Sequence, residues 1–407
     1  MIRPVKTLDK HKYVFSDISL TSTNLSDPIP VEIVKSLAIT HDYDNAISPF
    51  IILTVGIVPS VYQKIIENID TLRFKMNILK MIVDKDDTME GQPKNYISLD
   101  CKATIKDQIT TYTSNVLEFE KSQEIQPYEG IDTQISEMTF FLYDDSAIKK
   151  YRQCSSYIIN GGMNDIVYRI LVDRGFKNIL ISNSENNKFG EYIVPYGNLG
   201  ENLEFLNSHY GIYSKNYLFY MDINTIYMIN KFDVGSVLSN TEYGAVNIYL
   251  ENIAKSLEVD GGSYSDSENR LYGLNGIDFL IQDNDSTIYY YDAGKITSAI
   301  SGTKDVKVDT FSDCDVERAY VFNNANERTQ LISKILEDNK IVTVELSEID
   351  LNILTPNKKY NIIIDGDYGK KYDLNGAYRL ASQSILFTTI ADETVRGSVQ
   401  INLKKLN

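Results

Sequence analysis

Between Leu72 and Val83 the side chains alternate in character. Leu72, Phe74, Met76 and Ile78 are apolar, and Arg73, Lys75 and Asn77 between them are polar. That period of two predicts a strand with one buried face. After Ile78 the phase slips, and Leu79, Met81 and Val83 take over. A one-residue slip would turn the buried set outward, so a β-bulge or bend is expected there. Phe50–Ile57 is a continuous apolar run. Pro59 then opens a short helix, Ser60–Ile69, because the first helical turn leaves its N–H groups unpaired anyway. Asp84–Gly91 reads as an acidic turn. Tyr96–Ile105 and Glu137–Tyr143 read as further strands, and the polar, aperiodic Glu118–Thr133 as a long loop.

From Asp144 to Phe232 the pattern mixes helical and strand periods. Gly161-Gly162 breaks the chain. Asn164 or Asp165 can cap a helix whose apolar face is Ile166, Val167, Ile170 and Leu171, with Gly175 ending it. Asn178–Ser182 is a strand, and Asn202–Tyr210 a second amphipathic helix closed by Gly211. Tyr217–Met221 and Thr225–Ile229 are expected to pair as a hairpin. Strands then return. Ser263–Asn269 reads as a Ser-rich loop. Asp278–Ile281 and Thr287–Tyr291 flank a hairpin-type turn, Asp283-Asn284-Asp285-Ser286. Asn326–Glu337 is a helix. Ile341–Leu346, Tyr360–Ile364, Ala377–Leu380 and Ser384–Ile390 are short strands, and Val399, Ile401 and Leu403 alternate at the end. Many short strands with turn signals argue a barrel or sandwich.

The fold class is therefore mainly β with an α+β part. The changes of character divide the chain into a first β-barrel-like domain at 1–143, an α+β domain at 144–235, and a second β-barrel-like domain with one helix at 236–407. The barrels are free to be discontinuous in sequence. No internal repeat is visible.

Composition fits this picture. The chain has 407 residues, 43% hydrophobic and 24% charged, enough to bury several cores without disulfides or metals. Forty Lys+Arg against 56 Asp+Glu give −16. Specific nucleic-acid binding needs a positive footprint. The basic pairs here, such as Lys149-Lys150 and Lys404-Lys405, are scattered. The same acidity argues against anionic membranes. The longest apolar stretch, Phe50–Val58, falls far short of the roughly 20 residues a spanning helix needs. No signal peptide is read at Met1–Pro4. A soluble chain with no membrane insertion is expected. Cys101, Cys154 and Cys314 show no metal-ligand spacing and read as buried free thiols.

Catalytic chemistry is poorly supplied. His11, His41 and His209 are the three histidines, and no Gly-x-Ser-x-Gly elbow occurs. His209 falls late in a helix and reads as structural. Asp84-Lys85-Asp86-Asp87, Asp283-Asn284-Asp285 and Asp365-Gly366-Asp367 offer oxygen ligands. None meets the calcium-loop pattern, and all read as turns. Gly161-Gly162 lacks the fuller phosphate-loop spacing. No catalytic, cofactor-binding or metal residue is assigned, no cofactor is expected, and the chain is read as no enzyme.

Three stretches carry a resemblance. The first is Ile47-Ser48-Pro49-Phe50 through Leu53, the Pro59-Ser60-Val61-Tyr62 helix and Leu72-Arg73-Phe74-Lys75. The second is Gly175-Phe176-Lys177-Asn178-Ile179, Val194-Pro195-Tyr196-Gly197-Asn198-Leu199 and Leu206 through Tyr213. The third is Asp350-Leu351, Thr355 through Tyr360, and Asn375-Gly376-Ala377-Tyr378-Arg379-Leu380. Their order and spacing resemble the baseplate hub proteins of tailed, contractile-tail bacteriophages, related to the spike base of contractile injection systems. The resemblance implies two tail-tube-like β-barrel domains plus the smaller α+β domain. It implies a homotrimer that joins the sixfold tail tube to a threefold tip or spike and forms part of the DNA channel. The implied partners are the tail tube or its distal terminating protein, the tip or spike protein and baseplate wedge proteins. The implied location is the virion baseplate, after synthesis in the host cytoplasm. Some relatives carry fused lytic domains, and none is expected beyond Asn407. The alternatives are a receptor- or glycan-binding tail protein and, behind it, a tail-tip cell-wall hydrolase.

Overall fold

The structure is a computed structural model. It describes residues 10–31, 33–83, 89–106, 136–182, 189–213, 217–231, 245–250, 263–265, 270–273, 278–281, 287–292, 295–300, 309–311, 319–321, 340–364, 374–390 and 395–406. The chain is mainly β. The first six strands are β1 (Lys10–Ser22), β2 (Ile33–Asp42), β3 (Phe50–Ile57), β4 (Leu72–Val83), β5 (Met89–Ile105) and β6 (Ser136–Tyr143). The middle of the chain holds β7 (Ser155–Gly161), β8 (Ile179–Ile181), β9 (Gly190–Gly197), β10 (Tyr217–Met221) and β11 (Ile226–Asn230). The last part begins with β12 (Ala245–Leu250), β13 (Ser263–Ser265), β14 (Arg270–Gly273), β15 (Asp278–Ile281), β16 (Thr287–Asp292) and β17 (Lys295–Ile300). It ends with β18 (Asp309–Phe311), β19 (Ala319–Val321), β20 (Lys340–Ser347), β21 (Lys359–Ile364), β22 (Gly376–Thr389) and β23 (Val395–Lys405).

Eight strands close on themselves in the order β22-β2-β3-β6-β5-β4-β1-β23, and β23 returns to β22. Every pairing in this ring is antiparallel. Closure removes the free edges of an open sheet. Inward positions fill the barrel: Leu37, Leu53, Phe74, Leu99, Phe140 and Phe387 are all buried. Each such side chain contributes roughly 1.5–3 kcal/mol relative to exposure. The phase slip in β4 is realised. Ile78 faces inward, then Met81 and Val83 do. The register with β5 shifts between Ile78 and Leu79 and again between Lys80 and Ile82. The helix after β3 is Pro59–Glu67, followed by a single 3-10 turn at Ile69–Thr71.

Two of the eight staves come from the far end of the chain. β22 was expected as two strands, Ala377–Leu380 and Ser384–Ile390, and is one of 14 residues. The apparent gap is a register shift between Leu380 and Ser382. On one side of that shift β22 pairs with β2, and on the other with β21. A bulge is a normal means for a strand to change sheets. The β22–β23 hairpin thereby also belongs to a second run of strands, β13-β14-β12-β21-β22-β23-β20-β15.

Other expectations need correction. The strands either side of Asp283–Ser286 do not pair. β15 joins β20, while β16 joins β17 and β19 in a separate four-stranded sheet. Non-local pairing overrode the local turn signal. Ser263–Ser265 is strand, not loop, and β5 already begins at Met89, so Gly91 lies in a strand. Gly162, not Asn164 or Asp165, caps the helix Met163–Asp173. The next helix begins at Leu199 rather than Asn202, because Asn198 and Glu201 form a reciprocal capping box. Helix Asp145–Arg152 and the β7–β9 ribbon were not expected. The C-terminal stop at Gly175 is as expected: its φ is +84°, and Phe176 N–H donates to Leu171 O at 3.1 Å. Cys101 is buried but Cys154 is exposed, since the turn after the helix leaves it at the surface. Glu118–Thr133, Asn326–Glu337 and Cys314 lie outside the described residues.

Candidate functional site

The parts of the molecule meet at the β10–β11 hairpin. Tyr217–Met221 and Ile226–Asn230 pair antiparallel, as their apolar pattern predicts. Leu218, Tyr220, Tyr227 and Ile229 pack into the core that includes the barrel interior. Met221, Ile226 and Met228 belong to the core of the α+β part, which also holds Ile166, Ile170 and Leu203. A strand covered on both faces reads as an unbroken apolar run, and β11 is buried at every position. The hairpin tip is also tied by backbone, Met221 N–H donating to Ile47 O at 2.7 Å.

Beside the hairpin lies a largely covered carboxylate, Asp44, its side chain 10% exposed. The turn that holds it follows β2 and is fixed by Asp42, whose Oδ1 accepts from the N–H groups of Asp44 and Asn45. Asp44 accepts a two-pronged contact from Arg379 on β22, at 2.9 and 3.2 Å. Lys404 of β23 lies at 2.8 Å and Lys231, just after β11, at 3.3 Å. Burial alone would raise the Asp44 carboxyl. The three cations outweigh it and hold the group well below the usual carboxylate range. One side chain thus binds four segments of the chain. Next to it, His41 Nδ1 shares a 2.9 Å hydrogen bond with the Tyr220 hydroxyl, with Asp222 3.8 Å away. Burial lowers the His41 pKa, and Asp222 opposes that only in part.

A second joint ties the β20–β21 connection to the barrel. Tyr13 is fully buried; its hydroxyl donates to Ile349 O at 2.9 Å and accepts from Leu351 N–H at 3.1 Å. Its ring meets Phe387 edge-on at 5.2 Å. Gly397 must be small here, because a Cβ would sit 2.8 Å from that ring. Tyr360 repeats the device at Thr355, donating to its carbonyl and accepting from its N–H, both at 2.9 Å.

The outer surface of the barrel has two unlike halves. On one arc, Arg73 and Lys75 of β4 meet Asp100 of β5 at 2.9 and 3.3 Å, as on an ordinary solvated face. Across β22, β2, β3 and β6 three successive outward rows carry no charge. The register gives three cross-strand rows: Ser384–Thr40–Phe50, Leu386–Ala38–Ile52–Phe141, and Thr388–Ser36–Thr54–Thr139. Phe50 and Phe141 lie 5.0 Å apart. Phe50 is 52% exposed and Leu386 43%. The first charges appear at the margin, where Lys35 pairs with Glu137.

No group of three or more metal-ligating side chains forms among the described residues. The three acidic loops considered from sequence all lie outside them. Each histidine is held by its own neighbours. His11 is 4.0 Å from Asp350, His41 bonds Tyr220, and His209 stacks on Phe205 at 4.0 Å. No helix among the described residues is long and apolar enough to cross a membrane.

The family model described as the bacteriophage PBS1 gene 109 protein matches residues 5–406. The chain belongs to that family. The resemblance read from the sequence is borne out at this level. No curated protein matches the PBS1 gene 109 family member by sequence. Among solved structures it is similar to a tail protein from Neisseria meningitidis MC58, at 10% identity and TM-score 0.48, covering 97% of this chain and 96% of that one. It is similar to the 43 kDa tail protein of prophage MuSo2 from Shewanella oneidensis, at 12% identity and TM-score 0.46, covering 96% and 98%. It is also similar to a chain of the Francisella PdpA-VgrG complex, at 11% identity and TM-score 0.46, covering 98% of this chain and 59% of that one.

Sequence reasoning missed the Asp44 cluster in this family member. Asp44 looked like one more acid among 56. Its cations come from positions 231, 379 and 404, and no local pattern links them. The uncharged arc was within reach, because Phe50–Ile57 reads as apolar on both of its faces.

Proposed function

We propose that this chain is a structural protein of the phage tail, the baseplate hub subunit, and that it acts as a homotrimer. Three copies surround a channel for the DNA, join the sixfold tube to a threefold tip or spike, and meet the wedge proteins at their rim. Its place is the virion baseplate. The observation that carries the reading is the closed eight-strand barrel, found in a chain of a bacteriophage family and tied firmly to a second run of strands. A ring adaptor needs rigid staves and fixed angles between its parts, and the Asp44 and Tyr13 joints supply both. The reading assigns the chain no catalytic residue and no cofactor. It also keeps the division into 1–143, 144–235 and 236–407, with the last part lending β22 and β23 to the first.

The test is the mass distribution of the purified chain over a range of concentrations, with negative-stain images of the largest species. The expected result is a species of three times 46.3 kDa that images as a ring with a central hole. A chain that stays monomeric throughout, or that clears host cell walls or binds glycans on its own, overturns the reading.

A further inference from the structure

His41 sits where the hairpin meets the barrel core, and it is 3% exposed. Its Nδ1 has two neighbours on the hairpin. The Tyr220 hydroxyl lies at 2.9 Å and Asp222 Oδ1 at 3.8 Å. That same carboxylate oxygen is already in use, accepting from the N–H of Ile223 at 2.7 Å. Tyr43, two residues on, stacks on the His41 ring at 5.7 Å and meets the Tyr220 ring edge-on at 4.5 Å. Gln383 of β22 stands directly opposite His41 in the register. Its Nε2 donates to the Tyr43 hydroxyl at 3.0 Å, and its Oε1 is buried with no hydrogen-bond partner among the described residues. Tyr227 pairs with Tyr220 across the hairpin, and Tyr96 of β5 lies within the field of Asp222. Of the flanking acids, Asp42 is held by its own turn and Asp44 by its three cations. Asp222 is the charge that acts on His41.

A neutral imidazole offers one donor and one acceptor, and an imidazolium offers two donors. The surroundings of His41 are supplied for the second form, with a carboxylate oxygen beside Nδ1 and an unused amide oxygen on the opposite strand. Burial favours the neutral ring, so the charged form is reached only in acid. We propose that His41 is a proton-operated latch between the barrel and the hairpin. In the neutral ring, Nδ1 accepts the Tyr220 hydroxyl hydrogen. A solvent proton on Nδ1 makes that atom a donor, the Tyr220 hydrogen turns away, and the ring draws Asp222 Oδ1 from the Ile223 N–H. The hairpin tip then has two settings chosen by pH. The tip is also where the strand pair is tied to the barrel by backbone, through Met221 and Ile47. The latch lies within one subunit, so it stands or falls apart from the hub reading.

The experiment is NMR on the full chain, labelled at histidine rings and isoleucine amides and titrated from about pH 8 to about pH 5. His41→Gln identifies the ring signal, and Ile223→Val the amide. At the alkaline end the His41 ring should carry its hydrogen on Nε2. Below about pH 6.5 it should take up a proton, and the Ile223 amide should move with the same midpoint. In His41→Gln the Ile223 amide should no longer respond to pH. Asp222→Asn should weaken the hold of His41 on its proton about tenfold. That variant lies in a part-exposed turn, so it keeps the test open if His41→Gln does not fold. A His41 ring still neutral at about pH 5 overturns the latch, as does an Ile223 amide that ignores the ring's titration. So does an Asp222→Asn midpoint equal to the wild-type one. Unfolding before His41 titrates, read from loss of the native His11 and His209 signals, overturns it too.

Discussion

Asp44 shows how one side chain can set the acid limit of a whole protein. Its carboxyl is held below the usual range by Arg379, Lys231 and Lys404, so the folded state releases the proton that an unfolded Asp keeps below about pH 3.9. That contribution is complete above the unfolded value and is lost as pH falls towards the depressed folded one. His41 acts in the same direction at a higher pH. Its folded pKa lies below the ordinary ~6.5, so the unfolded chain takes the proton first and stability falls as pH drops below about 6.5. Urea titrations across pH should show both slopes, with Asp44→Asn flattening the lower and His41→Asn the upper. At neutral pH, Asp44→Asn should cost about 3–5 kcal/mol, the usual result of removing one partner from a buried ion cluster. Tyr13→Phe keeps the ring but removes the hydroxyl that serves Ile349 and Leu351. It should cost about 1–3 kcal/mol in the same assay.

At the scale of elements, the helix ends in the α+β part offer the cleanest measurements. Gly175 at φ +84° predicts that Gly175→Ala destabilises by about 1 kcal/mol, because the left-handed conformation penalises a Cβ. Asn198→Ala should cost a similar ~1 kcal/mol through loss of the capping box. Thermal melts of the two variants against wild type check both. Elements were legible where period or punctuation was strong. β3, the bulge in β4, the β10–β11 hairpin and the Gly175 stop could all be read from their own residues. Helix Asp145–Arg152 was not, since it buries no residue fully and its apolar side is only the half-covered Ala147, Ile148 and Tyr151. Its one signal was Asp144, whose carboxylate accepts from Ala147 N–H at 2.9 Å. The partner of β15 was illegible for another reason. Asp283–Ser286 favours a local turn, while the true partner, β20, lies far along the chain, and a single sequence gives no information on such distant pairings.

For the molecule as a whole, the decisive feature is that the first barrel borrows its last two staves. β22 and β23 fill the gap between β2 and β1, and Tyr13 packs on Phe387 across that seam. A fragment covering 1–143 therefore leaves two strand edges and an open core. It should give neither a cooperative melt nor dispersed amide NMR signals, whereas adding a peptide spanning 374–406 should order it. The same arrangement has a consequence for biosynthesis. The ribosome releases β6 long before it makes β22. At roughly 5–20 residues per second the stretch from Tyr143 to Gly376 takes on the order of ten seconds or more. Throughout that interval the apolar strands wait without their closing pair. A prematurely terminated chain can never complete its barrel, so it presents sticky edges to chaperones and proteases instead of a finished subunit. Only a ribosome that reads through to the final hairpin yields a piece that can be built into a particle, which makes the last strands a proofreading mark for the first.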